Sequence, residues 1–287
     1  MDQFVILCFA VVNSIALLAL ISLGLTAIFG MMRVINFAHG EFIMLGGYAT
    51  VIANHAGVDL WLSMLVVSPL VVGLIGAVVE RLIIRRLYGH LVTTMLATWG
   101  LSLFLIGAVT AIFGNTTLGV SAPLGNIAIG AYSISAYQLF LIAITALLVV
   151  FSLLALHWTK YGLIARAAMQ NAEMAATLGV DCDRVYATTF IIGAAASGLA
   201  GALLAPISGV LPHIGAAYVA RAFVTVISGG GALITGFLSA ATILGPVEAL
   251  LSYFATPVVG QASLLLLAVI ILRLFPTGLS SLWTGGR

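Results

Sequence analysis

Long apolar stretches interrupted by short polar ones run along the whole chain. A helix needs about 20 apolar residues to cross the hydrocarbon core of a bilayer. Most of the uncharged stretches hold one such helix, and the longest has room for two. They cover residues 4–32, 60–79, 87–159, 185–220, 222–247 and 249–272. The pattern therefore predicts a chain that crosses a membrane many times.

Eight membrane-spanning helices are predicted from these stretches. They lie near residues 4–29, 37–54, 61–80, 92–113, 137–157, 185–208, 232–255 and 258–274. A further apolar piece at 217–229 is too short to be assigned as a span. The predicted fold is an all-α membrane protein: a polytopic helical bundle of about eight transmembrane segments, with broken or re-entrant helices, in a single domain covering residues 1–287.

Composition and charge place these helices in a membrane and orient them. Hydrophobic residues make up 63% of the chain and charged residues 6%, whereas soluble domains have about 25% charged residues. Basic residues cluster at 81–86 and again at 160–184, two spans later. Both clusters therefore face one side, which the positive-inside rule identifies as the cytoplasm of a bacterial inner membrane. Lipid is then the main surrounding partner, and a net charge of +2 gives no indication of nucleic-acid binding.

Two connections between the predicted spans are longer than a turn. Residues 114–136 carry no charge, have Gly and Pro at intervals and alternate weakly, which predicts a small extracytoplasmic hairpin or cap. Residues 158–184 hold six charged residues among strong helix formers, with Gly162 and Gly179 expected to bracket one or two short amphipathic helices. This second loop is either a hairpin on the membrane surface or a docking element for a cytoplasmic partner.

Small residues recur at every fourth position of the span at 185–208. Such a stripe lets a neighbouring helix approach closely, so we assign it to helix packing. The stripe consists of Gly193, Ser197, Gly201 and Ala205.

Catalytic and metal-binding patterns are not found in the sequence. The single lysine, Lys160, does not lie in a phosphate-binding loop, so the chain is not itself a P-loop ATPase. No nucleophile elbow or HExxH helix occurs, and Cys8 and Cys182 lack the spacing of a disulfide framework or metal site. We therefore expect a transport function, without a catalytic residue or metal in this chain, rather than an enzyme.

The segment 33–41 places Arg, Asn, His and Glu between two apolar stretches, in surroundings too apolar for an exposed turn. A discontinuous helix fits better, because transporters tolerate irregular backbone where it lines a cavity. We predict that Asn36, Phe37, His39 and Glu41 lie along a solute pathway. The alternative is that Asn36 caps the helix carrying Glu41 and the other side chains are satisfied locally.

A second break is predicted at residues 228–231, where three consecutive glycines follow a serine. Ser228, Gly229 and Gly230 are assigned to the same pathway. Arg221 and Glu248 are isolated charges in apolar surroundings, which either form an intramembrane ion pair or snorkel to an interface. The two breaks follow oppositely directed spans, a pattern that hints at an inverted repeat.

Three segments resemble the permease subunits of ABC importers for branched-chain amino acids, of the LivH type. These segments lie at 24–48, which includes INFAHGE, at 161–190, and at 223–236, which includes SGGGALITG. The resemblance spans nearly the whole chain, including RLFPTGL at 273–279.

This resemblance implies a complex with a second homologous permease, two cytoplasmic ATPase subunits and a periplasmic solute-binding protein. ATP and Mg²⁺ would be bound by the ATPases, and no cofactor by this chain. The loop 158–184 would then couple to the ATPases through Gly162, Arg166, Glu173, Ala175, Ala176 and Gly179.

The solute and the class of transporter stay open at this level. The favoured function is one half of an ATP-driven pathway for branched-chain amino acids. Similar permeases import urea and short-chain amides, and the glycine spacing at 229–236 departs slightly from the pattern that many members share. A stand-alone secondary transporter or channel is the further alternative, for which only Glu41 and Glu248 qualify as buried carboxylates. A membrane enzyme ranks third.

Overall fold

A computed structural model describes residues 2–32, 34–129, 132–230 and 232–282. Its helices are α1 (Asp2–Met32), α2 (His39–His55), α3 (Leu60–Leu62), α4 (Ser68–Leu82), α5 (Leu91–Phe113), α6 (Ala136–Trp158), α7 (Lys160–Gln170), α8 (Ala172–Thr177), α9 (Cys182–Ser208), α10 (Ile214–Gly229), α11 (Leu233–Phe254) and α12 (Pro257–Leu274). A π-helical turn, Ser63–Val67, joins α3 to α4, and short 3₁₀ turns cover Ile84–Leu87 and Leu279–Leu282.

The predicted spans are confirmed as helices. In the described part of the chain, seven helices are long and apolar enough to cross a membrane, with α3 and α4 forming one span, Leu60–Leu82. The remaining predicted span, 37–54, forms the shorter helix α2 of 17 residues. The apolar piece at 217–229 lies in α10, which has 16 residues.

The hairpin predicted within residues 114–136 is present as two antiparallel strands. Strand β1 (Asn126–Ile129) pairs with β2 (Tyr132–Ser135), with Asn126 opposite Ser135. Residues 130–131, which join the strands, lie outside the described residues.

Two compact units are formed by interleaved parts of the chain. Unit 1 consists of Met1–Ser22, Ala122–Ser152 and Arg221–Arg287, and unit 2 consists of Leu23–Ser121 and Leu153–Ala220. Three of the four boundaries fall inside α1, α6 and α10, and the fourth falls between α5 and β1, so each unit combines separate segments of the chain.

Unit 2 is built around α9, against which α2 and α4 pack. A Cβ added at Gly201 would meet the backbone carbonyl of Ile43, and one added at Gly46 would meet the backbone of Gly198. The Ser68 hydroxyl of α4 lies 2.8 Å from the Gly46 carbonyl and 3.0 Å from the Gly198 carbonyl. The stripe of small residues therefore brings helix backbones together, as the sequence predicts.

Apolar side chains fill the space beside these backbone contacts. Phe42 of α2 meets Phe190 of α9 edge to face, with ring centroids 5.9 Å apart. Both rings are fully buried. Because lipid tails are as apolar as the core, such close packing, and not exclusion from water, holds helices together in a membrane.

Unit 1 uses the same kind of contact. A Cβ at Gly245 of α11 would lie 2.9 Å from the backbone nitrogen of Ile15 in α1. A Cβ at Gly260 of α12 would lie 2.8 Å from the Glu248 carbonyl. Glycine is thus required where α11 meets its two neighbours.

Adding one methyl group at Gly201 should destabilise the protein, because the Cβ has no room beside the Ile43 carbonyl. Overpacking of this kind costs about 1–3 kcal/mol, so Gly201→Ala should lower the Tm in detergent by several degrees. Gly107→Ala is the matched control, since nothing lies within 4 Å of the Cβ position at Gly107. An equal Tm for both variants would contradict the close contact.

Candidate solute pathway and coupling loop

The first break separates α1, which ends at Met32, from α2, which begins at His39. Arg33 lies outside the described residues. The side chains of Asn36 and His39 are fully buried, Glu41 is 2% exposed and Phe37 is 36% exposed. The predicted interruption of the helix is therefore present, and three of its four predicted pathway side chains face the interior of unit 2.

Local hydrogen bonds hold the irregular backbone of this break. The Ala38 N–H donates to Asn36 Oδ1 at 3.0 Å. The Phe37 N–H donates to the Thr98 hydroxyl of α5 at 3.2 Å, and that hydroxyl lies 3.4 Å from the Ile35 carbonyl. Asn36 thus holds a local turn just before α2, whose first turn has no side-chain cap, while Thr98 supplies a partner from another helix.

His39 and Glu41 also meet hydroxyl groups from other helices. Ser197 of α9 donates to the Gly193 carbonyl at 2.7 Å and lies 3.2 Å from His39 Nδ1. Which atom donates in this second contact depends on the imidazole tautomer. Ser102 of α5 donates to Glu41 Oε1 at 2.6 Å.

Sequence reasoning missed the contribution of α5. Thr94, Thr98 and Ser102 recur at every fourth position of an otherwise apolar helix, and all three are buried. That spacing places them on one helix face. A stripe of hydroxyl groups in a span is the signal that could have identified α5 as the partner of the break.

The second break lies between α10, which ends at Gly229, and α11, which begins at Leu233. Gly230 has φ 82°, a conformation that favours glycine, and Gly231 lies outside the described residues. A Cβ at Gly230 would lie 3.0 Å from the Gly278 Cα, and one at Gly229 would meet Gly236. The glycines therefore permit close backbone packing within unit 1, including contact with the C-terminal segment.

The predicted pathway residues are thus divided between the two units. Asn36, Phe37, His39 and Glu41 belong to unit 2, and Ser228, Gly229 and Gly230 belong to unit 1. The prediction that both breaks flank one cavity stays a prediction.

Arg221 and Glu248 lie together in unit 1. Arg221 Nη1 is 3.5 Å from Glu248 Oε1, and the two side chains are 20% and 10% exposed. The Ser14 hydroxyl donates to Glu248 Oε2 at 3.0 Å. Of the two interpretations of these charges, the geometry matches pairing inside the bundle.

The loop 158–184 contains two short helices, α7 and α8, each begun by a polar side chain. Thr159 accepts from the Gly162 N–H at 3.0 Å, and Asn171 accepts from the Met174 N–H at 2.9 Å. Gly162 therefore lies in the first turn of α7, and the expectation that it precedes the helix is wrong. A Cβ at Gly162 would meet the Ala155 and Leu156 carbonyls, so glycine permits the turn from α6 into α7.

The predicted coupling residues fall into two groups. Gly162 and Ala175 are buried and Arg166 is half-buried, with its Nε 3.4 Å from the Gly162 carbonyl. Glu173, Ala176 and Gly179 are exposed on or just after α8. Met174 and Leu178 beside them are 61% and 80% exposed. The α8 side of the loop therefore offers an apolar surface with one carboxylate.

Two polar contacts lie around the C-terminal end of α4, and one of them reaches this loop. Tyr88 donates to Glu80 at 2.6 Å, and Arg85 lies 3.8 Å from Asp183. Burial raises the pKa of the Tyr88 hydroxyl, and the hydrogen bond to Glu80 raises it further. Tyr88 therefore keeps its proton at physiological pH and remains a donor.

Comparison with known proteins identifies the family. The family described as "Branched-chain amino acid transport system / permease component" matches residues 7–274. The chain belongs to this family. No solved structure matches the chain significantly.

Individual members are similar along most of their length. The high-affinity branched-chain amino acid transport system permease protein LivH of Salmonella typhimurium is 32% identical over 281 residues, which cover 91% of this chain and 90% of that protein. The permease protein BraD of Pseudomonas aeruginosa is also 32% identical, over 283 residues, with the same coverage of both chains. A probable LivH permease of Methanocaldococcus jannaschii is 29% identical over 86% of this chain and 81% of that protein.

Membership of the family and seven apolar helices define this chain as a multi-pass permease of the inner membrane. It is a transport subunit and not an enzyme. Permeases of this type work within ABC transport systems.

Replacing Thr98 by valine should destabilise the first break, because the hydroxyl that accepts the Phe37 N–H is lost. Loss of one intramolecular hydrogen bond costs about 0.5–1.5 kcal/mol, and the Tm of the purified permease should fall accordingly. Thr98→Ser keeps the hydroxyl and should retain most of the stability. If valine and serine give the same Tm, the hydroxyl does not support the break.

Proposed function

We propose that this permease forms half of the translocation pathway of an ATP-driven importer of branched-chain amino acids. The observation that carries the proposal is similarity to named branched-chain amino acid permeases over about nine-tenths of both chains. The exposed apolar surface beside Glu173 supports it, because a transport subunit without a phosphate-binding loop needs a contact with the protein that hydrolyses ATP.

The proposed complex contains a second homologous permease, two cytoplasmic ATPase subunits and a periplasmic solute-binding protein. ATP and Mg²⁺ bind to the ATPases, and this permease binds no cofactor. The α8 surface docks against an ATPase: Met174 and Leu178 supply apolar area, and Ala176 and Gly179 allow close approach. Small side chains at such a point let a short helix settle into a partner's groove.

The proposed solute pathway includes both breaks. Asn36 Nδ2, Glu41 Oε2 and Ser228 Oγ are buried and have no hydrogen-bond partner among the described residues. A buried polar atom of this kind calls for water or another polar group, because leaving it unsatisfied costs about 1–3 kcal/mol. Three predicted pathway residues thus carry an unused hydrogen-bonding group, as expected beside a route for a polar solute.

ATP hydrolysis and uptake test the proposal directly. The purified permease alone should hydrolyse no ATP, since it lacks a phosphate-binding loop. The complex with its ATPases should hydrolyse ATP, and binding protein loaded with leucine, isoleucine or valine should stimulate both hydrolysis and uptake into proteoliposomes. Stimulation by urea or acetamide with none by leucine would replace the proposed solute with a small amide. Robust hydrolysis by the isolated chain would overturn the assignment.

Arginine at Ala176 should weaken attachment of the ATPase, because a long charged side chain cannot fit where a small exposed one docks. Co-purified ATPase should fall by about tenfold, which corresponds to roughly 1.4 kcal/mol of binding free energy. Ala56→Arg is the matched control: Ala56 is also exposed but follows α2, far along the chain from the loop. Equal ATPase recovery with both variants would show that the loop is a surface hairpin only.

A further inference from the structure

A cavity of about 460 Å³ lies within unit 1. Its lining combines the charged pair Arg221 and Glu248 with apolar side chains, among them Ile6, Phe9 and Leu17. Binding sites for small molecules typically have about 300–1,000 Å³ and a mainly apolar wall with a few convergent polar groups. The cavity has that size, and its wall is about equally polar and apolar, with the two charged groups among uncharged polar and apolar side chains.

Arg221 and Glu248 are placed so that they can bind a ligand as well as each other. Charge-assisted hydrogen bonds between nitrogen and oxygen are usually about 2.7–2.9 Å long, whereas Arg221 and Glu248 are 3.5 Å apart. A guanidinium has five N–H donors, and the described residues offer it this one loose ionic contact. Both side chains also line the cavity, so a ligand inside it reaches one positive and one negative group.

Keeping both charges inside a membrane protein is itself informative. Desolvation of two buried charges offsets much of their mutual attraction, and an apolar pair of similar volume is often at least as stabilising as a buried ion pair. A purely structural contact between α10 and α11 therefore does not need these residues. Binding of a ligand that carries both a positive and a negative charge does need them.

The cavity lies beside the hairpin β1–β2, at one end of the helices that line it. Its walls come from the first half of α1, the start of α6 at Gln138, strand β2 and the last third of α11. The distribution of basic residues places the hairpin β1–β2 on the external side of the membrane. Solute arriving from outside therefore meets this cavity early.

We propose that this cavity receives the solute as a zwitterionic α-amino acid on the external side of the permease. The carboxylate binds Arg221, the ammonium group binds Glu248, and an aliphatic side chain contacts Ile6, Phe9 and Leu17. The assignment rests on the proposed function and adds to it the residues that distinguish an amino acid from an uncharged amide.

The internal pair also explains how such a site releases its ligand. Each ionic contact that the solute gains replaces part of the contact between Arg221 and Glu248, so the net gain in binding free energy is small. An importer needs this property, because a solute held tightly in the pathway does not move on. Reformation of the pair as the solute leaves restores the empty state.

Filling the cavity tests the proposal without changing its charges. Ala10 lines the cavity on α1, and Ala10→Leu adds three carbon atoms to that wall. In proteoliposomes with the complete transporter, leucine uptake per assembled complex should fall about tenfold or more, equivalent to roughly 1.4 kcal/mol. The matched control is Ala143→Leu, at an exposed position of α6 outside the cavity lining, which should transport within about twofold of wild type.

A labelling experiment keeps the proposal testable even if Ala10→Leu assembles poorly. Cysteine is introduced by Ala10→Cys after Cys8→Ser and Cys182→Ser, and a membrane-impermeant thiol reagent is added from outside. Leucine should slow the reaction, whereas leucinamide and 4-methylpentanoate, which each lack one charge of the zwitterion, should protect much less.

The outcomes separate this inference from the proposed function. Wild-type uptake of urea with none of leucine overturns both. Normal leucine uptake by Ala10→Leu, or labelling that leucine does not slow, overturns the cavity site and leaves the importer intact. Labelling that depends on phosphatidylethanolamine in the vesicles and not on leucine assigns the cavity to a zwitterionic lipid headgroup and overturns the solute site.

Discussion

The hydrocarbon core of a membrane offers no hydrogen-bond partner to a peptide group, and the rest of this structure depends on that constraint. Each place where a helix is interrupted must find its partners within the protein. At the first break the partners are an asparagine side chain two residues away and the Thr98 hydroxyl of another helix. At the second break the chain packs its glycine backbone against the C-terminal segment. At these two breaks, irregular backbone therefore occurs where neighbouring elements lie close.

Close approach of helices in turn depends on glycine residues, which have no side chain. In water, a glycine inside a helix is about 0.5–1 kcal/mol less favourable than alanine. Here that loss is offset, because Gly46, Gly198 and Gly201 let α2 and α9 touch along their backbones beside α4. The Ser68 hydroxyl then bridges carbonyls on two of these helices. Small residues thus let the helices come into contact, and polar residues in the same region fix the relative positions of the helices.

Much of the fold follows from the sequence because a bilayer restricts the choices. Apolar length alone predicts every long helix, and the weakly alternating, glycine-interrupted segment before α6 correctly predicts a hairpin. The two short helices of the loop 158–184 are also predicted, although Gly162 lies inside α7 because Thr159 begins the helix three residues earlier. Contacts between distant helices are harder to predict. Ser102 and Ser197 resemble ordinary small residues in the sequence, and only packing shows that they contact Glu41 and His39.

The continuity of α9 has a mechanical consequence. This helix starts directly after the loop, with the Asp181 side chain accepting from the Arg184 N–H at its first turn. Ser197, which contacts His39, lies 15 residues beyond the helix start at Cys182, or about 22 Å along the axis at 1.5 Å per residue. Pro206, the proline inside this helix, lies beyond this point. The helical segment from Cys182 to Ser197 therefore contains no proline. A displacement of the start of α9 is transmitted along this continuous helix to the contact with the His39 imidazole.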